Sequence, residues 1–313
     1  MTSLAQAREL LKSGDVVAIP TETVYGLAGD IRSNAGLSKI FAVKERPFFD
    51  PLIVHVDSIE KAKALTSEWT EIHQALSKAL WPGPLTLLAT RLTTLNPLIT
   101  SGLNEVGLRC PRHPLTLDLL KDFEGLAAPS ANKFGKTSPT TAQHVETEFN
   151  GRVAILDGGP CDVGIESTVA AVVKEGGRWK LIIYRPGFYT AAALHDLLIE
   201  SGLPTETTYA ESPVAPGHLK HHYMPAIPLL VNEKGDEAFM SKASKTLKKD
   251  FHKVAKLELG NDPLLAARMF YEQLRTLSDG HDSILVELTS EQKTSEAWRA
   301  LMNRLYKAAS HRS

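Results

Sequence analysis

The sequence predicts an α/β protein in two parts, and three observations carry this prediction. Short β-rich runs alternate with helical patterns over the first 200 residues, as in a sheet covered by helices. A stretch with several prolines and no helical periodicity follows at residues 201–225. Strand and helix patterns then alternate one for one. At 313 residues the chain is about twice the ~150-residue prior for one domain, so we predict domains at 1–200 and 226–313 joined by a linker at 201–225.

The strands predicted in the first domain are apolar runs bounded by glycine and proline. They lie at Val16–Ile19, Leu52–Val56, Leu85–Ala89, Val106–Cys110, Val153–Leu156, Thr168–Val173 and Leu181–Tyr184. Helical periodicity is found at Leu4–Leu11, Leu37–Val43, Ile59–Leu65, Ile72–Leu80, Leu115–Phe123, Thr140–Phe149 and Ala191–Ile199. Because strands and helices do not alternate strictly, we expect a mixed sheet with antiparallel parts.

The second domain has a simpler pattern of β-α-β-α-β-α. Its strands are predicted at 227–232, 253–259 and 283–288, and its helices at 237–249, 264–277 and 297–309. Such a series is expected to wind a small parallel sheet, because crossover connections through helices join parallel strands. We find no chemical motif in this domain.

The composition of the chain argues against several classes of protein. The 35 basic and 36 acidic residues give a net charge of −1, which argues against a surface built mainly to bind nucleic acid or anionic lipid. No apolar run reaches the length of a membrane span, and the N-terminus does not resemble a secretion signal. Cys110 and Cys161 are too few for a disulfide framework or a thiolate zinc site. We therefore expect a cytoplasmic protein.

The common nucleotide and hydrolase motifs are absent from the sequence. Residues 135–137 resemble the end of a P-loop, but Ser130 stands where that motif requires glycine. The G-x-G-x-x-G, GxSxG and HExxH patterns do not occur. The chemistry must therefore come from less common polar clusters.

Two polar clusters lie in the first 50 residues. The first strand runs into a group of hydroxyls and a carboxylate that includes Glu22 and Thr23, which is a common way to build a ligand floor. A threonine-rich β-turn is the alternative. Lys44 and Arg46 close a helix that Pro47 cannot continue. These two cations could grip a polyphosphate, although a basic helix end more often compensates the helix dipole.

Further candidates lie on or beside apolar strands. His55 is more often a hydrogen-bonded core histidine than a ligand, whereas a buried Arg109 needs an anionic partner, such as a ligand carboxylate. Ser138 followed by Pro139 predicts an N-cap and a helix from Thr140, whose free N–H groups would bind an anion. The remaining polar candidates at strand ends or turns are Ser130, Asn132, Ser167 and Arg185.

Eight ordered segments closely resemble the threonylcarbamoyl-AMP synthase family, whose catalytic module is called YrdC-like. They are PTETVYGLAGD, KIFAVKERP, DPLIVHV, WPGPLTLL, VGLRCPRHP, APSANKFGKTSPT, GIESTVA and YRPG. The linker segment APGHLKHHYMP resembles the one that precedes a Rossmann-like C-terminal domain in the longer form of the family. The resemblance thus implies a YrdC-like twisted mixed sheet with helices, followed by a small Rossmann-like parallel α/β domain.

The resemblance implies an L-threonylcarbamoyladenylate synthase, a nucleotidyltransferase that uses L-threonine, bicarbonate and ATP. Its products would be threonylcarbamoyl-AMP and pyrophosphate. Mg²⁺ is expected to bridge the ATP phosphates without a dedicated protein cage. A downstream tRNA threonylcarbamoyl transferase would consume the product to make threonylcarbamoyladenosine in tRNA.

The resemblance also implies roles for individual residues. Those expected around threonine are Thr23, His55, Arg109, Ser130 and Ser167, with Arg109 on the carboxylate. Those expected at ATP are Arg46, Asp50, Asn132, Thr140, Arg185 and Tyr223. The catalytic pair would be Lys44 and Arg46, which match the family's K-x-R motif. The linker would be a lid hinged at Pro216 and Gly217, with His221 and His222 belonging to the lid rather than to a metal site.

Three positions depart from the family pattern. Asp50 stands where asparagine is frequent, Glu105 where a small hydroxyl residue is common, and Ala215 where serine is usual. A carboxylate near ATP would repel phosphate unless it faces the ribose, the base or magnesium. We therefore assign no role to Glu105.

Two other functions are compatible with a fold of this kind. A hydrogenase-maturation carbamoyl-transfer module has a similar fold, but it requires zinc-finger segments that two cysteines cannot supply. A double-stranded RNA or tRNA-binding protein could use a basic concave face of the same fold, and weak tRNA binding stays open. The near-zero net charge argues against RNA binding as the main role.

Overall fold

The computed structural model describes residues 1–210 and 222–313, which fall into two compact units. The first unit comprises Met1–Lys133 and Pro139–His218, and the second comprises Phe134–Ser138 and Leu219–Ser313. A short segment of five residues in the first half of the chain therefore belongs to the second unit. The predicted hinge at Pro216 and Gly217, together with His221, lies outside the described residues.

A ten-stranded mixed sheet organises the first unit, in the order β10-β9-β8-β4-β5-β3-β6-β2-β1-β7. Its strands are β1 (Val17–Ile19), β2 (Gly26–Asp30), β3 (Ile53–His55), β4 (Leu85–Thr90), β5 (Glu105–Arg109), β6 (Leu126–Ala127), β7 (Ala154–Ile155), β8 (Thr168–Glu175), β9 (Arg178–Arg185) and β10 (Glu206–Tyr209). Parallel pairs such as β3 with β5 alternate with antiparallel pairs such as β4 with β5. The predicted mixed α/β sheet is confirmed.

Within residues 1–210, eight helices accompany this sheet. They are α1 (Leu4–Lys12), α2 (Asn34–Lys44), α3 (Ile59–Ala64), α4 (Glu71–Leu80), α5 (Pro97–Thr100), α6 (Pro114–Leu120), α7 (Ala142–Phe149) and α8 (Ala191–Glu200). Several begin at a serine or threonine whose hydroxyl accepts a backbone N–H of the first turn, as Ser33 does for α2 and Thr70 for α4. Local capping chemistry therefore sets where these helices start.

The core of the first unit lies on both sides of the sheet. Leu87, Leu108 and Val54 of neighbouring strands are fully buried in one cluster. Leu11 of α1 and Leu119 of α6 belong to a second cluster. Because the interior is close-packed, the polar side chains at the ends of the central strands are held on a rigid frame.

The start of α7 differs from the prediction. The N-cap is Thr141, whose hydroxyl accepts the His144 N–H, and not Ser138. Pro139 lies outside the helix instead, with its carbonyl accepting the Tyr25 N–H, and the Thr140 carbonyl accepts the Cys161 N–H. The predicted N-cap at Ser138 and helix start at Thr140 were therefore wrong, because long-range backbone pairing competes with the local capping signal.

The second unit contains a four-stranded parallel sheet in the order β12-β13-β11-β14. Its strands are β11 (Leu229–Asn232), β12 (Val254–Lys256), β13 (Ser283–Glu287) and β14 (His311–Arg312). Its helices are α9 (Phe239–Leu247), α10 (Pro263–Ser278), α11 (Ser290–Thr294) and α12 (Arg299–Ala308), with a 3₁₀ turn at Glu296–Trp298. The predicted parallel winding is confirmed.

The segment 134–138 is attached to the second unit by backbone hydrogen bonds. The Met224 N–H donates to the Gly135 carbonyl at 2.8 Å, and the Thr137 N–H donates to the Met224 carbonyl at 3.2 Å. Next to Met224, the buried Tyr223 packs against the rings of His222 and Tyr271. In the described ranges, no helix has both the length and the apolar character needed to cross a membrane.

Candidate active site

Arg109 lies at the end of β5, in register with His55 on the parallel strand β3. Its side chain is about 5% exposed, so its charge needs a partner inside the protein. The partner is Glu22, whose Oε1 lies 2.8 Å from Arg109 Nη2. The sequence suggested a ligand carboxylate for this role, but the chain supplies one of its own.

Glu22 belongs to the polar loop between β1 and β2. Burial by itself would raise the pKa of its carboxyl group, but the Arg109 charge and the hydrogen bond from the Arg112 N–H outweigh burial and lower the pKa. The carboxylate is therefore ionised at neutral pH. Thr23 follows in the same loop, fully buried, with its hydroxyl 2.8 Å from that of Thr21.

His55 is buried beside Arg109, and its Nδ1 atom has no hydrogen-bond partner among the described residues. Burial and the Arg109 charge lower the pKa of His55 to about 3. The imidazole is thus neutral at physiological pH. Its open ring nitrogen can donate to or accept from a polar ligand without adding charge to the site.

Lys44, the last residue of α2, is only 1% exposed. Its ammonium donates to the carbonyls of Ser130 and Asn132, each at 2.5 Å. Burial and the neighbouring Arg46 charge lower the pKa of Lys44 well below its usual value. Lys44 therefore ties the loop at 130–132 to the end of α2.

Arg46 and Asp50 form a buried ion pair, with Arg46 Nη2 2.9 Å from Asp50 Oδ2. Arg46 also donates to the carbonyls of Asp50 and Pro51. The carboxylate that departs from the family pattern is thus neutralised by the adjacent guanidinium. This pairing limits its repulsion of a phosphate nearby.

Ser167 and Arg185 meet at the junction of β8 and β9. Arg185 donates through Nη2 to Ser167 Oγ at 3.0 Å and through Nε to the Ser167 carbonyl at 3.1 Å. Thr86 of β4 lies 2.8 Å from the same hydroxyl. A residue expected at threonine and one expected at ATP therefore lie in direct contact.

The structure brings most of the predicted residues into the first unit, in three clusters. The clusters are Glu22, Thr23, His55 and Arg109; Lys44, Arg46, Asp50, Ser130 and Asn132; and Ser167 with Arg185. An isolated β-bridge pairs Ser130 of the second cluster with Gly26, three residues after Thr23 of the first. Thr140 bonds the loop at Cys161. Tyr223 belongs to the second unit.

Two residues with contacts in these clusters have no individual role that the sequence indicates. From the sequence, Glu22 belongs only to the polar cluster expected to form a ligand floor, and Thr86 lies within the predicted strand Leu85–Ala89. The need of a buried Arg109 for an anion was the one signal that could have pointed to Glu22. Thr86 gave none, because its hydroxyl meets Ser167 only through strand pairing.

A hydroxyl-rich floor with buried cations, set on a mixed sheet, is typical of a class of proteins that bind small anionic substrates. Family comparisons make this specific. A family profile described as telomere recombination matches residues 9–187, and one described as the threonylcarbamoyl-AMP synthase C-terminal domain matches residues 189–310. The two profiles adjoin in the order that the sequence resemblance implied.

Individual relatives agree with the profiles. A threonylcarbamoyl-AMP synthase of Bacillus subtilis is 41% identical over 242 residues, covering 75% of this chain and 68% of the relative. One of Pyrococcus abyssi is 34% identical over 326 residues, covering 98% and 94%. A crystal structure of P. abyssi Sua5 complexed with L-threonine superposes with a TM-score of 0.83 at 31% identity, covering 99% and 96%. The chain belongs to the threonylcarbamoyl-AMP synthase family in its two-domain form.

Proposed function

We propose that this chain is an L-threonylcarbamoyladenylate synthase. It would act as a nucleotidyltransferase that joins L-threonine, bicarbonate and the AMP part of ATP, and would serve tRNA threonylcarbamoyladenosine biosynthesis. The observation that carries the proposal is the buried Arg109 beside neutral His55 and Thr23, in a chain that matches a threonine-complexed relative along its length.

The threonine half of the site is proposed around Arg109. A guanidinium binds a carboxylate through paired, charge-assisted hydrogen bonds. Thr23 and His55 would supply neutral polar contacts for the rest of the amino acid. The hydroxyls of Ser130 and Ser167 would complete this half.

The ATP half is proposed around the two cations at the end of α2. Arg46 and Lys44 would act on the phosphates, and the remaining contacts would come from Asp50, Asn132, Thr140, Arg185 and Tyr223. The contact between Arg185 and Ser167 supports two adjoining halves. Ser167 is proposed at threonine and Arg185 at ATP, so the two substrates would bind next to each other. Asp50, already paired with Arg46, would face the ribose or base.

The chemistry we propose needs no covalent intermediate on the protein. The threonine amine first combines with bicarbonate to give a carbamate and water. A carbamate oxygen then attacks the α-phosphorus of ATP, the bond from that phosphorus to the bridging oxygen breaks, and pyrophosphate leaves. The phosphates repel an anionic nucleophile, so the cations must neutralise and align both reactants.

Mg²⁺ would be bound by the ATP phosphates and would reach the site together with ATP. The described part of the chain holds no group of three or more His, Cys, Asp or Glu side chains suited to a metal, and Glu22 and Asp50 each already pair with an arginine. Phosphate oxygens are the ligands that Mg²⁺ commonly takes in such sites. We assign no protein side chain to the metal.

Pyrophosphate release tests the proposal directly. We expect release from ATP only when L-threonine and bicarbonate are both present, with threonylcarbamoyl-AMP as the second product. Release that is independent of threonine would reject the assignment. Since a synthase needs no RNA for this step, a salt titration of tRNA binding separates it from the RNA-binding alternative. Strong tRNA binding without pyrophosphate release would favour that alternative.

A further inference from the structure

The Glu22 carboxylate is buried and is hydrogen-bonded or ion-paired at each of its oxygens, and it has no role in the proposed reaction. The residue is 3% exposed. One carboxylate oxygen pairs with Arg109 at 2.8 Å, and the other accepts the Arg112 N–H at 3.0 Å. Its main-chain carbonyl accepts the Val163 N–H at 2.8 Å. Glu22 is therefore held from two other loops independently of its contact with Arg109.

The ion pair with Glu22 holds one side of the Arg109 guanidinium. Its Nε donates to the Gly83 carbonyl at 3.4 Å, and its Nη2 faces Glu22. A guanidinium has five N–H donors. Neither Nη1 hydrogen is used in these contacts, and the approach of Nη2 to Glu22 is an ion pair outside hydrogen-bond geometry. Donors are therefore left for a second carboxylate. An incoming anion would not have to displace Glu22.

We infer that Glu22 is a positioning residue, which holds the Arg109 guanidinium in the orientation that receives the α-carboxylate of threonine. This inference rests on the proposed function, since it assumes that Arg109 binds threonine. Glu22 itself would not contact the reacting atoms. Its effect on the substrate would pass through the direction of the Arg109 side chain.

Charge and geometry make opposite predictions for the loss of Glu22. If charge alone mattered, removing a carboxylate beside Arg109 would leave the site more positive and tighten the binding of threonine. If orientation matters, the freed guanidinium would turn toward other acceptors, and the binding of threonine would weaken. The sign of the change therefore separates a positioning residue from a competitor for Arg109.

The test is Glu22→Gln in the full chain, with pyrophosphate release as the assay. We expect the KM for threonine to rise by about tenfold or more, while the KM for ATP and the kcat at saturating threonine change by less than about twofold. The matched control is Glu124→Gln, which breaks the exposed ion pair with Arg32 and should leave all three constants unchanged. An unchanged or lower KM for threonine in Glu22→Gln would overturn the inference.

A second variant covers the case in which Glu22→Gln does not fold. Glu22→Asp keeps the charge but shortens the side chain, so it should also raise the KM for threonine if reach and orientation matter. A normal KM for threonine in a folded Glu22→Asp would overturn the inference. If the unaltered chain shows no threonine-dependent release, the proposed function fails instead, and the two outcomes stay distinct.

Discussion

Arg109 joins the stability of the first unit to the proposed binding of threonine. Arg109→Ala should weaken threonine binding by about 1.5–3 kcal/mol, because a charge-assisted carboxylate contact is lost. The same change leaves Glu22 buried without its counter-charge, so we expect the unfolding free energy to fall by about 3–5 kcal/mol. Calorimetric titration with threonine and urea unfolding measure the two effects.

A double variant separates binding from folding at this pair. Arg109→Ala combined with Glu22→Gln removes both buried charges and should recover much of the lost stability. It should recover none of the threonine affinity. If Arg109→Ala alone binds threonine like the parent chain, the placement of threonine at Arg109 is wrong.

Lys44 and Arg46 are expected to act on the rate of adenylate formation. Lys44→Met or Arg46→Ala should lower the single-turnover rate by about 10²–10³-fold, with a much smaller effect on threonine affinity. Lys44→Met keeps the buried volume but removes the donors to Ser130 and Asn132. Equal losses of rate and threonine affinity in both variants would place this pair at the wrong substrate.

His55 predicts how the stability of the first unit depends on pH. Its pKa is lowered to about 3 in the folded chain, against about 6.5 when unfolded. Between these values only the unfolded chain binds the proton, so stability is lost as the pH falls below about 6.5. The loss from about pH 7.5 to about pH 5 should be about 2 kcal/mol. His55→Gln should flatten this slope in urea unfolding, and an equal slope in both chains would contradict the assignment.

The charged residues of the site are easier to predict from the sequence than the residues that they pair with. Arg109 stands out because a cation among apolar strand residues must be compensated. Glu22 and Thr86 do not stand out in the sequence, because the residues that they contact lie on strands and loops distant in the chain. The Asp50 pairing with Arg46 is local, four residues apart, but the sequence does not reveal that both side chains are buried.

Helix α7 shows, at the scale of one element, how tertiary pairing overrides a local signal. Thr141→Ala should lower the unfolding free energy by about 1 kcal/mol, because the His144 N–H loses its acceptor. Thr147→Ala on the exposed face of the same helix is the matched control and should stay within about 0.5 kcal/mol. Equal stability of the two variants would mean that the Thr141 cap contributes nothing.

Strand and helix positions followed the sequence where apolar periodicity was strong. Strand β2 was missed because Gly26 and Gly29 weaken its pattern and suggested turns. A Cβ on Gly29 would lie 3.0 Å from Ile40 Cδ1 and 3.1 Å from the Gly36 carbonyl. This glycine therefore serves the close packing of α2 on the strand, a need that only the folded chain makes visible.

Strand β10 was missed for a different reason, since its residues Glu206–Tyr209 lie in the stretch read as linker. They pair in parallel with β9, and Lys180 of β9 forms an ion pair with Glu206. A strand at the edge of a sheet needs little apolar content. The prolines around Glu206–Tyr209 predict a linker, so the pairing of this strand with β9 could not be recognised from the sequence.

At the scale of the whole molecule, the chain passes from the first unit into the second and back again around the segment 134–138. The segment 134–138 belongs to that unit and bonds Met224 there. Asn132 and Thr140, both proposed at ATP, flank this segment on either side. Of the residues proposed at threonine, only Ser130 is close to this segment in the sequence, and the others are more than 20 residues away from it.

A chain ending at residue 210 should therefore lose ATP affinity more than threonine affinity. This cut keeps β10, whereas a cut at 205 would remove it. Without Met224, the segment 134–138 loses its backbone partners. If the segment 134–138 then adopts the conformation that binds ATP only about one-tenth of the time, ATP affinity falls by about tenfold. Threonine affinity should change by less than about threefold, because Thr23, His55 and Arg109 stay in the first unit.

Calorimetric titration of both ligands into the full and shortened chains measures these changes, and tryptophan fluorescence checks that the shortened chain is folded. Tyr223→Ala in the full chain tests one side chain of the second unit without removing the segment's partners. It should reproduce only part of the loss of ATP affinity, because the backbone bonds of Met224 remain. An ATP affinity equal in all three chains would show that the second unit does not support nucleotide binding, and would remove Tyr223 from the proposed site.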